Sequence, residues 1–321
     1  MSNVAQAPVA ESVAFDLASW SQQHLQNVEQ ALQRWVSTES PVGPIHGVHG
    51  VHGAPGALIE AMRYAVLDGG KRLRPLLVLA SCEALNGNPH AALRAACAAE
   101  LIHAYSLVHD DMPCMDNDIL RRGKPTVHVK FGEAQALLAG DALQALAFEL
   151  LTPDDADIPA DLQARLCRLL ARAAGSAGMA GGQAIDLASV GQKLSETQLS
   201  EMHRLKTGAL LQGSVMMGAA CGAPTPAQLR ALEAYGAALG LAFQVVDDIL
   251  DVTADSATLG KTAGKDAIQD KPTYVALLGL ARSTAFAQEL LAQALAALDS
   301  ANLPHPQALR ALADMVVNRK S

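Results

Sequence analysis

Two groups of closely spaced aspartates each follow an apolar stretch of the chain. The first comprises Asp110, Asp111, Asp116 and Asp118, and the second comprises Asp247, Asp248 and Asp251. Carboxylates crowded in this way repel one another, and a cation normally relieves the repulsion. Because the crowded groups offer oxygen ligands, they predict a hard ion such as Mg2+.

The first group is expected at a helix end and in the turn that follows it. On an unbroken helix Asp110 and Asp116 would lie about 240° apart around the axis and could not share a face. Pro113 has no N–H group and disfavours helical backbone at the residue before it. We therefore predict that the helix ends near Met112 and that the turn returns Asp116 to the side of Asp110 and Asp111.

The second group is expected on one face of a continuous helix. Asp247 and Asp251 are about 40° apart around the axis, as are Gln244 and Asp248. Either group alone is also consistent with a solvated acidic helix end, since motifs this short often arise by chance. Two such groups, each ending a helix that must be buried, favour instead two walls of one site in a helical bundle.

Basic residues supply a complement to these acids. They are Lys71, Arg72, Arg74, Arg121, Arg122, Lys206, Lys261, Lys265 and Lys271. The first three follow Gly69 and Gly70 at a predicted helix start, where free N–H groups and the helix dipole also attract anions. Acids that hold Mg2+ and bases that hold oxygens indicate a polyphosphate. No Gly-x4-Gly-Lys-Ser/Thr phosphate loop is present, so a hydrocarbon diphosphate is favoured over a nucleotide.

Composition narrows the class of protein. The chain has 321 residues, of which 50% are hydrophobic and only 3% aromatic, and this predicts a helical protein with a large core. A net charge of −8 argues against nucleic acid and an anionic membrane surface as partners. Five scattered cysteines, the absence of a signal-peptide pattern and the absence of a run of 18 apolar residues predict a cytoplasmic location without a membrane span.

Hydrophobic periodicity predicts one all-α domain over residues 1–321. We expect a loose tail at 1–10, a flexible His/Gly loop at 40–56 and a loop at 254–270 that could order over a ligand. The predicted helices cover 11–38, 57–67, about 71–85, 90–112, 127–151, 161–188, 196–221 and 226–253, and two or three short helices close the chain. No convincing strand pattern is present.

Seven stretches, in this order along residues 55–280, resemble the trans-isoprenyl diphosphate synthase family, most of all its bacterial farnesyl diphosphate branch. They are Gly69–Pro75, His103–Asp116, Arg121–Pro125, Gly181–Asp186, Lys206–Thr207, Phe243–Asp251 and Leu259–Lys261. The resemblance implies the isoprenoid synthase-type helical bundle around a deep central cavity, and a homodimer. It also implies condensation of isopentenyl diphosphate with dimethylallyl or geranyl diphosphate through an allylic cation.

The resemblance assigns roles to individual residues. Magnesium, expected as three ions with diphosphate bound, would be held by Asp110, Asp111, Asp116, Asp247, Asp248 and Asp251. The allylic diphosphate would be contacted by Arg121, Lys206, Thr207, Gln244, Lys261 and Lys271. Isopentenyl diphosphate would be held by Lys71, Arg74, His103 and Arg122. Lys206 and the acids other than Asp251 would be catalytic, and Tyr105 and Ser106 would limit product length.

Alternative functions remain open at this point. The same chemistry could yield a geranyl or geranylgeranyl product. A terpene cyclase of the same fold would not need the second diphosphate site that Lys71, Arg74 and His103 indicate. A non-catalytic regulatory subunit of a prenyl synthase would not need both acidic groups intact. A nucleic-acid or membrane adaptor is opposed by the negative charge and the absence of a basic stripe.

Overall fold

The computed structural model is a helical bundle, and it describes residues 15–37, 54–67, 69–253 and 272–319. The predicted tail, most of the His/Gly loop, the loop at 254–270, Lys261, Lys265 and Lys271 lie outside these ranges. The helices of the first half are α1 (Leu17–Trp35), α2 (Gly56–Val66), α3 (Leu73–Glu83), α4 (Pro89–Asp110), α5 (Val127–Phe131), α6 (Glu133–Leu151) and α7 (Ala160–Ala174). The second half has α8 (Met179–Ala188), α9 (Glu196–His203), a π-helical segment (Arg204–Gly208), α10 (Ala209–Ala220), α11 (Pro226–Thr253), α12 (Tyr274–Leu278), α13 (Leu280–Ala301) and α14 (Gln307–Asn318).

Two adjoining apolar cores hold the bundle together. One surrounds α4, which packs on α6, and the other surrounds α11, which packs on α13. Helices α3 and α10 pack on each other between them, and α3 also contacts α4 while α10 contacts α11. Alanine and glycine at these contacts allow close helix approach; a Cβ on Gly218 would lie 2.1 Å from the carbonyl oxygen of Val78. The prediction of an all-α bundle is confirmed.

Several predicted boundaries were wrong for identifiable reasons. Helix α1 begins at Leu17 rather than at residue 11. The Asp16 side chain accepts hydrogen bonds from the backbone amides of Ala18 and Ser19 and so caps the helix there. The helix predicted over 127–151 divides at Gly132, which has a φ of 88°. The last helices are not all short, since α13 has 22 residues.

Glycines also divide the helix predicted over 161–188. Helix α7 ends at Ala174, and α8 begins at Met179. Between them, a Cβ on Gly178 would lie 2.3 Å from the carbonyl oxygen of Ala173, so the chain can turn sharply only with glycine there. The resulting break separates α7 from α8, which packs beside the π-helical segment.

The chain also forms one short antiparallel ribbon that the periodicity did not predict. Its strands are β1 (Leu120–Arg121) and β2 (Lys124–Pro125), with Arg121 opposite Lys124. Arg122 and Gly123 make the turn with φ values of 52° and 75°. The basic residues Arg121, Arg122 and Lys124 therefore lie at the tip of a two-stranded ribbon.

Helices α4, α6 and α11 are long and apolar enough to cross a membrane, judged by length and composition only. This differs from the expectation that no stretch of the chain is long and apolar enough. Among the described residues these helices pack against several neighbours, and burial on most sides accounts for the apolar character of α4 and α11.

Candidate active site

The first acidic group lies at the carboxyl end of α4. The helix ends at Asp110, and the next residues fold back so that the Asp116 amide donates to the Asp110 carbonyl at 2.8 Å. The Asp118 amide donates to the Asp111 carbonyl at 3.1 Å. The prediction that the turn at Pro113 returns Asp116 to the side of Asp110 and Asp111 is therefore confirmed.

Asp111 is buried and is held by Arg121 from the β ribbon. The Arg121 guanidinium donates from Nε to Oδ2 at 2.8 Å and from its terminal nitrogen to Oδ1 at 2.5 Å. Burial by itself would lower the pKa of Arg121, but the hydrogen bonds and charge of Asp111 outweigh it and raise the pKa. The pair fixes the ribbon against the end of α4.

The second acidic group lies on α11, where its members face different surroundings. Asp247 is half-buried and borders the same cavity as Asp110. Asp248 is only 2% exposed and borders a smaller cavity, about 80 Å3, with Gln244 and Lys206. Asp251 is also buried. The structure thus brings Asp247 to the first group and places Asp248 behind it.

One cavity of about 450 Å3 is lined by one member of each acidic group, Asp110 and Asp247. Its polar end is lined by Asp110, Asp247, Arg74, His103, Lys206 and Thr207. Its apolar walls include Met179, Ala180, Ala184 and Leu187 of α8, and Tyr105 and Ser106 lie on α4. A larger cleft of about 940 Å3 lies between α1, α3 and the start of α4, but it contains no member of either acidic group.

Burial and neighbouring charges alter the ionisation of this site. Burial raises the pKa of Asp110 to about 6; Lys206 acts against this shift, and Asp116 adds to it. Burial, reinforced by Arg74, holds the pKa of His103 well below its usual value, so the ring is neutral at pH 7. The Arg74 guanidinium is buried in the cavity wall, and its Nε has no hydrogen-bond partner in the described structure. A buried and unpartnered N–H beside the cavity fits an anionic oxygen.

Two other basic residues of the predicted set differ in their surroundings. Burial lowers the pKa of Lys71, with Arg319 acting in the same direction and Asp247 against it. Arg72, by contrast, is not available to a ligand. Its guanidinium is 5% exposed and donates to Glu29, Glu100 and the Val66 carbonyl. The expectation that Arg72 belongs to the anion-binding set was wrong, because it joins α1 to α4.

The π-helical segment positions Lys206 and Thr207. Lys206 forms a short ion pair with Asp186 of α8, and Thr207 Oγ1 donates to Gln244 Oε1 at 3.0 Å. Gly182 of α8 makes this approach possible, since a Cβ there would lie 2.0 Å from the backbone nitrogen of Lys206. A π-helical turn in a helix frequently occurs at a functional site.

Sequence reasoning missed Arg319, at the end of α14. Its guanidinium pairs with Asp247 and donates to the Phe243 carbonyl at 3.2 Å. It also lies 4.1 Å from the centre of the Phe243 ring. No local motif marks this residue, and only the fold of the last helix brings it to the second acidic group.

The polyprenyl synthetase family matches residues 55–311, and the chain belongs to this family. A probable farnesyl diphosphate synthase of Sinorhizobium fredii is 49% identical over 279 residues, which cover 86% of this chain and 80% of that protein. The chloroplastic geranylgeranyl pyrophosphate synthase of Capsicum annuum is 48% identical over 261 residues, covering 81% and 71%.

Solved structures agree with this assignment. An FPP/GFPP synthase of Zymomonas mobilis, in its apo form, superposes with a TM-score of 0.79 at 40% identity, covering 94% of this chain and 98% of that one. The geranyltransferase of Helicobacter pylori, complexed with magnesium and isoprenyl diphosphate, gives a TM-score of 0.78 at 35% identity, covering 96% and 98%. The fold is the all-α isoprenoid synthase fold, and the protein is a chain-elongating prenyltransferase.

The acidic residues fit magnesium only in company with a ligand. Within the described ranges, no three or more His, Cys, Asp or Glu side chains are grouped so that they could hold a metal ion by themselves. Mg2+ usually takes one or two carboxylates and completes its shell with water and substrate phosphate. Asp110 and Asp247 line the cavity and Asp116 lies beside Asp110, so each acidic group could offer a carboxylate to an ion whose shell a diphosphate completes.

Proposed function

We propose that this enzyme condenses isopentenyl diphosphate with dimethylallyl or geranyl diphosphate and releases (2E,6E)-farnesyl diphosphate. The observation that carries the proposal is that one cavity is lined by a carboxylate from each acidic group, Asp110 and Asp247, and by an aromatic side chain, Tyr105. The farnesyl diphosphate synthase named among the relatives supports the same product.

Magnesium would be held from the α4 side by Asp110, Asp111 and Asp116, and from α11 by Asp247, with Asp248 and Asp251 near it. Three ions with diphosphate bound remain our expectation. Bound there, magnesium would stabilise the negative charge that develops on the leaving diphosphate. The structure of the H. pylori relative, complexed with magnesium and isoprenyl diphosphate, supports this ion.

The chain's own side chains divide into two anion-binding sets. Lys206, held by Asp186, and Arg121, held by Asp111, would contact the allylic diphosphate with Thr207 and Gln244. Lys71, Arg74, His103 and Arg122 would hold isopentenyl diphosphate at the other side of the cavity. The neutral His103 ring can donate a hydrogen bond without adding charge. We also expect Lys261 and Lys271, which lie outside the described residues, to contact the allylic diphosphate.

Carbon–carbon bond formation then depends on position and on the exclusion of water. The allylic C–O bond breaks, and the bond electrons leave with the diphosphate. The apolar walls formed by α4 and α8 shield the resulting cation from water. The double bond of isopentenyl diphosphate attacks it, and a proton leaves to the departed diphosphate, so no dedicated side-chain base is required.

Product length is proposed to depend on Tyr105 and Ser106. The Tyr105 ring lies edge-on against His109 with their centres 5.7 Å apart, and Gln144 hydrogen-bonds its hydroxyl. Ser106 donates to the His103 carbonyl at 2.9 Å and so remains close to the helix. A large ring fixed on the cavity wall would stop a growing chain, whereas Ser106 takes little room.

The test is product analysis. The purified protein is incubated with Mg2+, isopentenyl diphosphate and either dimethylallyl or geranyl diphosphate, and the products are dephosphorylated and separated by chromatography. We expect a fifteen-carbon alcohol from wild type and longer alcohols from Tyr105→Ala. A main product of twenty carbons from wild type would show that the enzyme makes geranylgeranyl diphosphate, and one of ten carbons that it makes geranyl diphosphate. Either result would contradict the proposal of farnesyl diphosphate.

We also propose a homodimer in the cytoplasm. Exposed apolar side chains on the β ribbon and on α5 and α6 form a candidate dimer surface: Ile119, Leu120, Val129, Leu137 and Leu138. All five cysteines are free thiols, which agrees with a reducing compartment. Light scattering coupled to gel filtration should give twice the mass of one chain, and a monomer mass at assay concentration would contradict the dimer.

A further inference from the structure

Two of the five cysteines lie next to each other, where helices α3 and α10 end. Cys82 is in the last turn of α3, and Cys221 directly follows α10. Their thiols lie in hydrogen-bonding contact with each other. Neither residue lines the cavity that Asp110 and Asp247 border, so the prenyl-transfer chemistry does not use this thiol pair.

The turn after α3 fixes the backbone around both cysteines. The Asn88 amide donates to the Cys221 carbonyl at 2.8 Å, and the Gly87 amide donates to the Cys82 carbonyl at 2.9 Å. A Cβ on Gly87 would lie 2.8 Å from the Cys82 sulfur and also 2.8 Å from the Cys221 carbonyl oxygen, so these two atoms are no further apart than twice that distance. Because the thiols are already in contact, a bond between the sulfurs should require side-chain rotation and little movement of the backbone.

The two thiols differ in access and in acidity. Cys82 borders the cleft of about 940 Å3 between α1, α3 and the start of α4, whereas Cys221 is not part of its lining. The hydrogen bond from Cys221 lowers the pKa of the Cys82 thiol, against the opposing effect of burial. The hydrogen bond with Cys82, together with burial, raises the pKa of the Cys221 thiol. Since the thiolate is the reactive form, Cys82 is the member of the pair that a small oxidant in the cleft would meet.

We propose that Cys82 and Cys221 form a reversible disulfide when hydrogen peroxide reaches this cleft, with Cys82 as the attacking thiol and Cys221 as the resolving thiol. The bridge would join the carboxyl ends of α3 and α10, which already pack on each other. It would close a long loop of the chain, so it should restrict the unfolded state and stabilise the fold. The proposal does not depend on the prenyl-transfer function proposed above.

Both steps of this oxidation balance in atoms and electrons. The Cys82 thiolate attacks one oxygen of the peroxide, and the O–O bond breaks. Hydroxide leaves and takes up the proton that the thiol released, which gives a sulfenic acid and one water. The Cys221 sulfur then attacks the Cys82 sulfur, the S–O bond breaks, and hydroxide leaves with the Cys221 proton as a second water. One peroxide is reduced by two electrons, and two thiols are oxidised to one disulfide.

The sequence allows the bridge to be identified directly by mass spectrometry. Trypsin places Cys82 in residues 73–94 and Cys221 in residues 207–230, and neither peptide contains another cysteine. The folded protein is treated with hydrogen peroxide, the remaining thiols are blocked in denaturant, and the digest is analysed without reductant. We expect the two peptides to be joined, lighter by two hydrogens than their sum, and to separate after reduction with dithiothreitol.

The exposed thiol of Cys114 shows in the same digest whether the peroxide has oxidised cysteines. Oxidation of Cys114 while both peptides of the pair carry the blocking group would overturn the proposal. Detection of Cys82 only as a sulfinic acid, or bridged to a cysteine other than Cys221, would also overturn it.

Single variants test the roles of the two thiols. In Cys221→Ala no thiol can resolve the sulfenic acid, so Cys82 should be oxidised further to the sulfinic acid. In Cys82→Ala, by contrast, Cys221 should stay reduced. The matched control is Cys97→Ala, which removes another buried thiol and should leave the bridge unchanged. Equal oxidation of the remaining thiol in Cys221→Ala and Cys82→Ala would contradict the assigned order of attack.

Thermal unfolding of wild type gives a measurement that needs no variant. We expect the oxidised protein to unfold at a temperature about 5 °C higher than the reduced protein, and dithiothreitol to remove the difference. Oxidised protein that unfolds at an equal or lower temperature would show that the bridge distorts the contact between α3 and α10, and would overturn the proposal. None of these measurements uses turnover, so their failure would leave the prenyl-transfer function standing.

Discussion

At the scale of single residues, burial disfavours the ionised form of Asp110. Burial raises its pKa to about 6 from 3.8, although Lys206 acts against the shift. Because the ionised form of this carboxylate is unfavourable in the free protein, a cation that arrives with the substrate would stabilise it strongly. Ionised Asp110 therefore lowers the stability of the protein alone, and under our proposal it would regain this free energy when the metal and diphosphate bind.

This conflict between stability and binding predicts that Asp110→Asn stabilises the metal-free protein. The folded pKa of Asp110 lies above its unfolded value, so ionisation favours the unfolded chain; the penalty is absent below about pH 4 and complete above about pH 6. We expect the free energy of unfolding at pH 7.5 to rise by about 2–3 kcal/mol in the variant, and the gain to vanish near pH 4. Turnover should be lost at every pH.

Urea unfolding of wild type and Asp110→Asn at pH 7.5 and pH 4, in chelator, measures this difference. Adding Mg2+ and inorganic diphosphate should stabilise wild type and leave the variant unchanged. A variant less stable than wild type at pH 7.5 would contradict the account of Asp110.

The ion pair between the Arg319 guanidinium and the Asp247 carboxylate leads to a second prediction. A cation that must give up this carboxylate opposes a metal ion that needs it. We expect Arg319→Gln to lower the half-saturating Mg2+ concentration by about threefold to tenfold. The matched control is Arg310→Gln on the same helix, which removes an exposed ion pair with Asp299 far from the site and should change nothing. Equal Mg2+ dependence in wild type and Arg319→Gln would be inconsistent with this pairing.

Individual site residues could be predicted where they share a local pattern. The turn that returns Asp116 to Asp110 follows from Pro113, and both groups were recognisable by spacing alone. The partner of Asp247 could not be predicted, because Arg319 is 72 residues further along the chain and belongs to no motif. Nor could sequence separate Arg72 from Arg74, since the difference is the position of Glu29 and Glu100.

At the scale of elements, the contact between α8 and the π-helical segment positions Lys206, for which we propose a catalytic role. Gly182 touches the backbone at Lys206, and Asp186, one helical turn further on, holds the Lys206 ammonium group. The extra residue of a π-helical turn alters the direction of the side chains that follow, which brings both Lys206 and Thr207 toward the cavity.

We predict that Gly182→Ala lowers kcat by about tenfold or more, because the added methyl group must push Lys206 away, and small displacements of catalytic groups slow the reaction strongly. Steady-state kinetics and the helical circular dichroism give the readout. The matched control is Gly56→Ala at the start of α2, where a Cβ would meet nothing within 4 Å. Full turnover in Gly182→Ala would show that the close approach is not required.

Helix boundaries were predictable where a cap or proline marks them and not where glycine acts through tertiary contact. Asn88 and Pro89 mark the start of α4 by their local chemistry. The break between α7 and α8 depends instead on how closely Gly178 and Gly182 approach other backbone, which no periodicity reveals. The π-helical segment was likewise invisible, because the hydrophobic spacing of 196–221 is that of one continuous helix.

At the scale of the whole molecule, helices α4 and α11 border one cavity and each contributes one carboxylate to its lining, Asp110 and Asp247. The low aromatic content and the alanine-rich helices were enough to predict a helical bundle, and the two acidic groups were enough to predict that two helices meet. The depth of the cavity was not predictable from composition, because it depends on which apolar side chains of α8 and α4 face each other across an open space.

The account depends most on both acidic groups holding one diphosphate through metal ions. Crystals soaked with Mn2+ and inorganic diphosphate, measured at the manganese absorption edge, show directly where the ions lie. We predict anomalous peaks inside the cavity, at Asp110 and Asp116 on one side and at Asp247 on the other, with a single diphosphate between them. Peaks confined to one acidic group, or found only on the outer surface of the protein, would contradict the account.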